Sequence, residues 1–239
     1  MIRLIFIFTF FYTYCFADET VLINYPQNSD IIILNPGDYK VGEFDITLKD
    51  KEWFAVYENS NFSYIKKVKL KIEKIEPDIQ YDWQYRVSVE DNKDCLFLIS
   101  GLDLTDRKFD YYTNNDILKN NQDFTFEFGP YHTYISSKIK LEESIGEVTK
   151  RYYSVSLNYE SNNNITSQEL FLFPCYDEQL ILSLVWAGDL DNDGKTDFVI
   201  QTPTLPYNEL GDAIGLYLSS RADKEDLVKL VAYFISTGC

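Results

Sequence analysis

The sequence predicts a mainly β protein of antiparallel, sandwich-like sheets closed by one C-terminal amphipathic helix, with α+β as the second choice of class. Three observations carry this expectation. Tyr and Phe, which suit pleated half-buried surfaces, number 19 and 17 beside a single Met. Apolar and polar residues alternate with a period of two in several stretches. Near the C-terminal end the period becomes that of a helix. With 45% hydrophobic and 25% charged residues in 239, the chain is globular rather than disordered, with enough length for one large core or two smaller ones.

Arg3 and the apolar run Leu4 to Phe16, ending in Cys15-Phe16-Ala17 before Asp18-Glu19, have the form of a secretory signal peptide over residues 1–17. The expected location is therefore secreted or periplasmic. An uncleaved N-terminal anchor is the competing reading, although the run falls short of the roughly 20 apolar residues of a membrane span. No other stretch has transmembrane character, so no integral membrane segment is expected in the mature chain.

Residues 18–76 read as an N-terminal β lobe. Asn35-Pro36-Gly37-Asp38 is a turn signal, followed by an expected strand from Tyr39 to Leu48 with Val41 and Phe44 among its apolar positions, and another from Trp53 to Tyr57. Tyr64 to Ile75 alternates apolar and basic residues and reads as one strand with a lysine face, either an anion-binding row or the solvated side of an edge strand. Glu76-Pro77-Asp78 breaks the pattern, and 77–239 is read as a second, β-rich domain.

Within that domain, Tyr85 to Val89, Cys95 to Ser100, Phe124 to Phe128, Tyr152 to Tyr159 and Glu169 to Phe173 read as strands, and Asp110 to Gln122, rich in Asn and Asp, as an exposed loop. Ile214 to Leu218 is a further strand. Leu227, Leu230, Val231 and Phe234 fall at i, i+3, i+4 and i+7, which predicts a helix over Asp223 to Ile235 with Asp223 as N-cap and Gly238 at its exit.

The segment with the most specific chemistry is Asp189-x-Asp191-x-Asp193-Gly194-x-x-Asp197. Ca²⁺ takes about six to eight oxygen ligands. Short Asp side chains at alternate positions of a curled loop can aim carboxylates at one centre, Gly194 permits the sharp turn, Lys195 would give its backbone carbonyl, and Asp197 would close the shell directly or through water. The position at which an EF-hand needs a bidentate Glu is Ile200, and the flanks Leu182 to Trp186 and Phe198 to Ile200 are strand-like, so this is not an EF-hand.

With Trp186 and Gly188 ahead of it and Phe198 behind, the loop resembles the calcium-binding β-hairpin of FG-GAP/VCBS repeats, found in integrin-type β-propellers. That resemblance covers roughly 20 residues. It implies Ca²⁺ as cofactor, Asp189, Asp191, Asp193 and Asp197 as side-chain ligands and Lys195 as carbonyl ligand. It does not imply a propeller, because the loop occurs once. The wider segment, with Leu216 to Ser220 and Thr237-Gly238-Cys239, also resembles exported bacterial proteins that carry a single such loop.

Removing the signal leaves Cys95, Cys175 and Cys239, of which one pair can bridge in an oxidising compartment. Cys175–Cys239 is the expected pairing, since it would tie down the terminus. The net charge of -16 repels phosphate backbones, which excludes nucleic acid as a partner; a protein or glycan partner stays open.

No catalytic constellation emerges. The sole histidine, His132, sits in Gly129-Pro130-Tyr131-His132 with no nucleophile motif, and Ser137-Lys138-Ile139-Lys140 matches SxxK on a stretch that alternates like a strand. The expectation is an exported β-rich binding or structural module stiffened by one Ca²⁺. The alternatives are a secreted hydrolase with a calcium-stabilised fold and an adhesion or carbohydrate-binding domain.

Overall fold

The computed structural model describes Pro26 and residues 29–236 except 44, 60–61, 77–83, 92, 110–111, 119–122, 129–130, 146–147, 162–163, 177–181 and 204–211. The expected signal peptide 1–17, Pro77, Gly238 and Cys239 lie outside the described residues.

The described chain is built from antiparallel strands. β1 (Ile32–Leu34), β2 (Gly37–Tyr39), β3 (Trp53–Asn59), β4 (Phe62–Val68), β5 (Leu70–Lys74), β6 (Tyr85–Val89), β7 (Phe97–Ser100) and β8 (Arg107–Phe109) form its first part. β9 (Tyr112–Leu118), β10 (Asp123–Phe128), β11 (Tyr131–Ile145), β12 (Val148–Ser161) and β13 (Asn164–Tyr176) follow. β14 (Leu182–Gly188), β15 (Asp197–Pro203), β16 (Asp212–Leu218) and β17 (Lys229–Ser236) complete it. They assemble into sheets of order β1-β7-β3-β4-β8, β10-β11-β12-β13, β17-β16-β15-β14-β9 and β2-β6-β5.

Side-chain alternation stacks these sheets in layers. Along β15 and β16, Phe198, Ile200 and Tyr217 point into one core with Val155, Leu157 and Phe171 of the β10–β13 sheet. Val199, Ile214, Leu216 and Leu218 point the other way, onto Phe54, Val56, Phe97 and Ile99. The back of that second sheet, Trp53, Ala55, Tyr57 and Leu98, packs on Tyr39, Leu70, Val87 and Val89 of the small sheet. The β9–β14–β17 sheet is thus covered on both faces, more layers than a simple two-sheet sandwich has.

Several expectations are corrected. No C-terminal helix forms: the chain turns through 223–228 and Lys229–Ser236 is β17, pairing Ile214 with Phe234 and Leu216 with Ala232. The helical spacing misled because this edge strand is apolar on both faces, Leu230 packing toward one core and Val231 toward the other, which erases the period-two signal. Asp223, expected as an N-cap, instead pairs with Lys229 at 3.0 Å. The Asn-rich stretch expected as a loop contains β9, hydrogen-bonded to β14 through registers such as Leu182 to Leu118. Ladder bonds are made by the backbone, so an Asn-rich composition does not forbid them.

The strand expected over Tyr39 to Leu48 ends at Tyr39. A turn at Val41–Glu43 uses the left-handed φ of Gly42 (89°), and Ile46–Asp50 is a 3-10 turn. Asp45 caps it by accepting from the Thr47 N–H at 2.8 Å, and the Trp53 indole donates to the Leu48 carbonyl at 2.7 Å.

Tyr64 to Ile75 is two strands, not one. The chain breaks at Lys69, so that β4 stays in the large sheet and Leu70 turns into the core behind it. Lys66, Lys67 and Lys71 each meet a carboxylate, of Asp91, Glu52 and Glu73, which supports a solvated face over an anion-binding row. The boundary expected at 76 runs through two sheets, because β6 pairs with β5 and β7 with β3. No helix among the described residues is long and apolar enough to cross a membrane.

Candidate metal centre

β14 runs into the loop and β15 leaves it, with Gly188 and Asp197 as the last registered pair. The Asp189–Thr196 connection is thus the tip of an antiparallel hairpin. Leu190, fully buried, inserts into the core between the two large sheets and fixes the loop's base. Asn192 (φ 67°) and Gly194 (φ 83°) take left-handed conformations, which curl the backbone tightly enough for its own N–H groups to face the acids.

The hydrogen bonds show how each carboxylate is aimed. Asp189 accepts from the N–H groups of Asp193 and Gly194, both at 3.0 Å. Asp193 accepts from the Lys195 N–H at 2.8 Å. Asp197, fully buried, accepts from the Leu190 N–H at 2.8 Å and from the Ser219 N–H at 2.8 Å.

The Ser219 hydroxyl lies 2.9 Å from Asp197 Oδ1 and 3.0 Å from Asp193 Oδ2. A hydroxyl has one proton, so it serves one of these acceptors at a time. The Ser220 hydroxyl donates to Asp191 Oδ2. Asp191 Oδ1 is buried and accepts no hydrogen bond among the described residues.

Asp189, Asp191 and Asp197 each place one carboxylate oxygen within 4.8 Å of the others. Asp193 is outside that triad, its oxygens turned to Lys195 and Ser219. The donor set is all oxygen and anionic, which suits a hard cation such as Ca²⁺ and not a thiolate-seeking metal. Burial pushes the Asp197 carboxyl up to about 7, and the neighbouring charge of Asp191 adds to the rise, while the bonds from Ser219 and Leu190 oppose it.

Ser219, Ser220 and Arg107 were not anticipated as parts of this site. For the serines a signal existed: they directly follow the strand Ile214 to Leu218, and antiparallel neighbours bring the end of β16 beside the start of β15. Arg107, whose guanidinium donates to the Asp189 carbonyl at 2.6 Å, is 82 residues away and gave no local signal.

The other sequence candidates lie elsewhere. His132 is half-buried in β11, with its ring 5.9 Å from that of Tyr134. Ser137 and Lys140 also lie on β11 rather than on a helix, and Lys140 pairs with Glu169 at 2.9 Å. Cys175 is buried on β13 in the core, and its expected partner Cys239 lies outside the described residues.

Burial, aided by the charges of Asp91 and Asp94, pushes the Cys95 thiol up to about 12. The thiolate is the reactive form, so at pH 8 Cys95 should alkylate about 100-fold more slowly in the folded protein than in urea. Peptide mass spectrometry after timed maleimide labelling checks this, and equal rates would refute the sheltered position.

No protein-family model, curated protein or solved structure matches this chain.

Proposed function

We propose that the protein is an exported β-rich binding or structural module in which one Ca²⁺, held by the 189–197 hairpin loop, ties β14, β15 and β16 together. The observation that carries this reading is the convergence of Asp189, Asp191 and Asp197 about a point where Asp191 Oδ1 is buried without a hydrogen-bond partner. Carboxylates packed this closely repel one another, and a buried acceptor left unmade costs about 1–3 kcal/mol. A divalent cation removes both penalties.

The likeness to the FG-GAP/VCBS hairpin agrees in ligand type and in the strand flanks. In this reading Asp193 and the Lys195 carbonyl complete the shell, and the N-terminal 17 residues direct export to a calcium-rich compartment. A metal enclosed by its own loop stiffens rather than catalyses.

At a dissociation constant of about 10⁻⁴ M, millimolar calcium adds about 1.4 kcal/mol of stability, or roughly 3–6 °C in Tm. Asp191→Ala removes this shift. A variant that keeps the whole shift would falsify the ligand assignment.

The pH dependence follows from Asp197. Its folded-state pKa is raised, so in the metal-free protein its contribution to stability is complete below the unfolded value of 3.8 and is lost as pH rises through about 7. Calcium needs the ionised carboxylate. The calcium-induced rise in Tm should therefore be small at pH 5 and grow up to pH 8. A shift of the same size at both ends of that range would count against Asp197 as a ligand.

A further inference from the structure

Beside the metal loop is an open cavity of about 140 Å³ between the 103–107 segment and the turn at Leu190–Asn192. For comparison, an engineered cavity of about 150 Å³ in another protein holds benzene. Leu104, which keeps a little exposure, gives part of the wall an apolar character, Asp191 of the metal loop adds a carboxylate, and Thr105 and Asn192 add a hydroxyl and an amide.

The distribution of charge there is unusual. Asp103 and Arg107 line the same cavity, and the guanidinium donates instead to the Asp189 carbonyl. Among the described residues Asp103 has no hydrogen-bond or ion-pair partner. Arg107, half-buried, spends one N–H on the Asp189 carbonyl and lies 5.6 Å from the centre of the Phe109 ring, and among the described residues it forms no ion pair with a carboxylate. A guanidinium carries five donors in a planar fork suited to carboxylates. In a chain of net charge -16, a guanidinium that forms no ion pair beside an open cavity can receive an anionic group.

We propose that this cavity binds a small zwitterion, a free α-amino acid with a side chain no larger than that of valine. Its carboxylate meets the Arg107 guanidinium, its ammonium meets the Asp103 carboxylate, and its side chain lies against Leu104. Both polar contacts are charge-assisted, roughly twice as strong as neutral ones. A simple anion would satisfy Arg107 but face the carboxylates of Asp103 and Asp191, and a simple cation would satisfy the acids but face the Arg107 guanidinium. A sugar would leave both charges without a counter-ion. Asp103 and Arg107 lie outside the carboxylate triad, but Asp191 of the triad lines the same cavity, so the affinity is measured with and without calcium.

The test is calorimetric titration of the full chain with valine, N-acetylvaline, valine methyl ester and glucose, in calcium-containing and in chelated buffer. Valine should bind in at least one buffer, and each blocked derivative, lacking one of the two charges, at least about tenfold more weakly. Asp103→Asn and Arg107→Gln should each weaken valine by a similar factor. Arg107→Gln also loses the Asp189 contact, so if that variant fails to fold the derivative series on the unaltered chain decides. The inference is overturned if valine shows no binding in either buffer up to about 10 mM, if either blocked derivative binds as well as valine, or if glucose binds more tightly.

Discussion

Replacing Trp186 by Ala should cost about 3–5 kcal/mol, a large share of the roughly 5–15 kcal/mol that holds a typical domain folded. Trp186 is fully buried on β14, three residues before the first loop aspartate. Its ring meets Phe97 edge-on at 5.9 Å and Phe109 at 5.3 Å, so it contacts the facing sheet from both β7 and β8. Its indole N–H donates to the Ser63 hydroxyl at 3.1 Å, and Ser63 is itself fully buried.

The Ala variant loses both the apolar area and the bond. Trp186→Phe keeps most of the area but strands the Ser63 hydroxyl, at about 1–3 kcal/mol. Urea denaturation of the two variants measures this order. An Ala variant within about 1 kcal/mol of the parent would show that the two sheets do not depend on this contact.

Gly101→Ala should be nearly as damaging, for a backbone reason. Gly101 has φ +86°, and an added Cβ would lie 2.2 Å from the Asp30 carbonyl oxygen and 2.8 Å from its carbon. These are main-chain atoms just ahead of β1, so relief requires β1 to move away from β7. A left-handed alanine costs about 1–2 kcal/mol before any clash, and with the displacement about 3 kcal/mol or more is expected.

Gly194→Ala is the control. It has a similar φ of +83° but nothing within 4 Å of the new Cβ, so only the backbone term applies, about 1–2 kcal/mol. Thermal melts of the two variants separate the effects, and equal losses would mean the clash at Asp30 is absorbed without cost. Gly101→Ala should also weaken the calcium response, because residue 101 opens the segment that delivers Arg107 to the Asp189 carbonyl.

What the sequence disclosed depended on how its information is encoded. Strands with one or two strongly apolar faces and clear turn punctuation, such as Tyr85 to Val89 and Trp53 to Tyr57, were legible because their signal is local. β9 was not, because its backbone bonds to β14 leave no mark on an Asn-rich composition. β17 reads as a helix in the sequence because apolar residues on both of its faces remove the alternation, and with Leu227 of the preceding turn, Leu230, Val231 and Phe234 imitate a helical stripe.

At the loop, short-range spacing identified the acids, and the convergence of Asp189, Asp191 and Asp197 agrees with it. Asp193 was expected on the same footing but is turned toward Lys195 and Ser219. The partners that aim the acids come from distant chain, Ser219 from the end of β16 and Arg107 from β8, and their roles exist only once the sheets are assembled.

The doubly covered sheet also bears on modularity. The hairpin looks like a transferable unit, a short motif with its own ligands. Yet removing the strands before residue 110 would uncover Trp186, Val199, Ile214, Leu216 and Leu218, and removing β10 to β13 would uncover Leu182, Leu184, Phe198 and Ile200. Either cut leaves a wide apolar surface that a soluble fragment does not tolerate. The loop therefore has no smaller native host within this chain: a peptide spanning only 182–203 would keep the acids while losing the serines and the arginine that hold them in place.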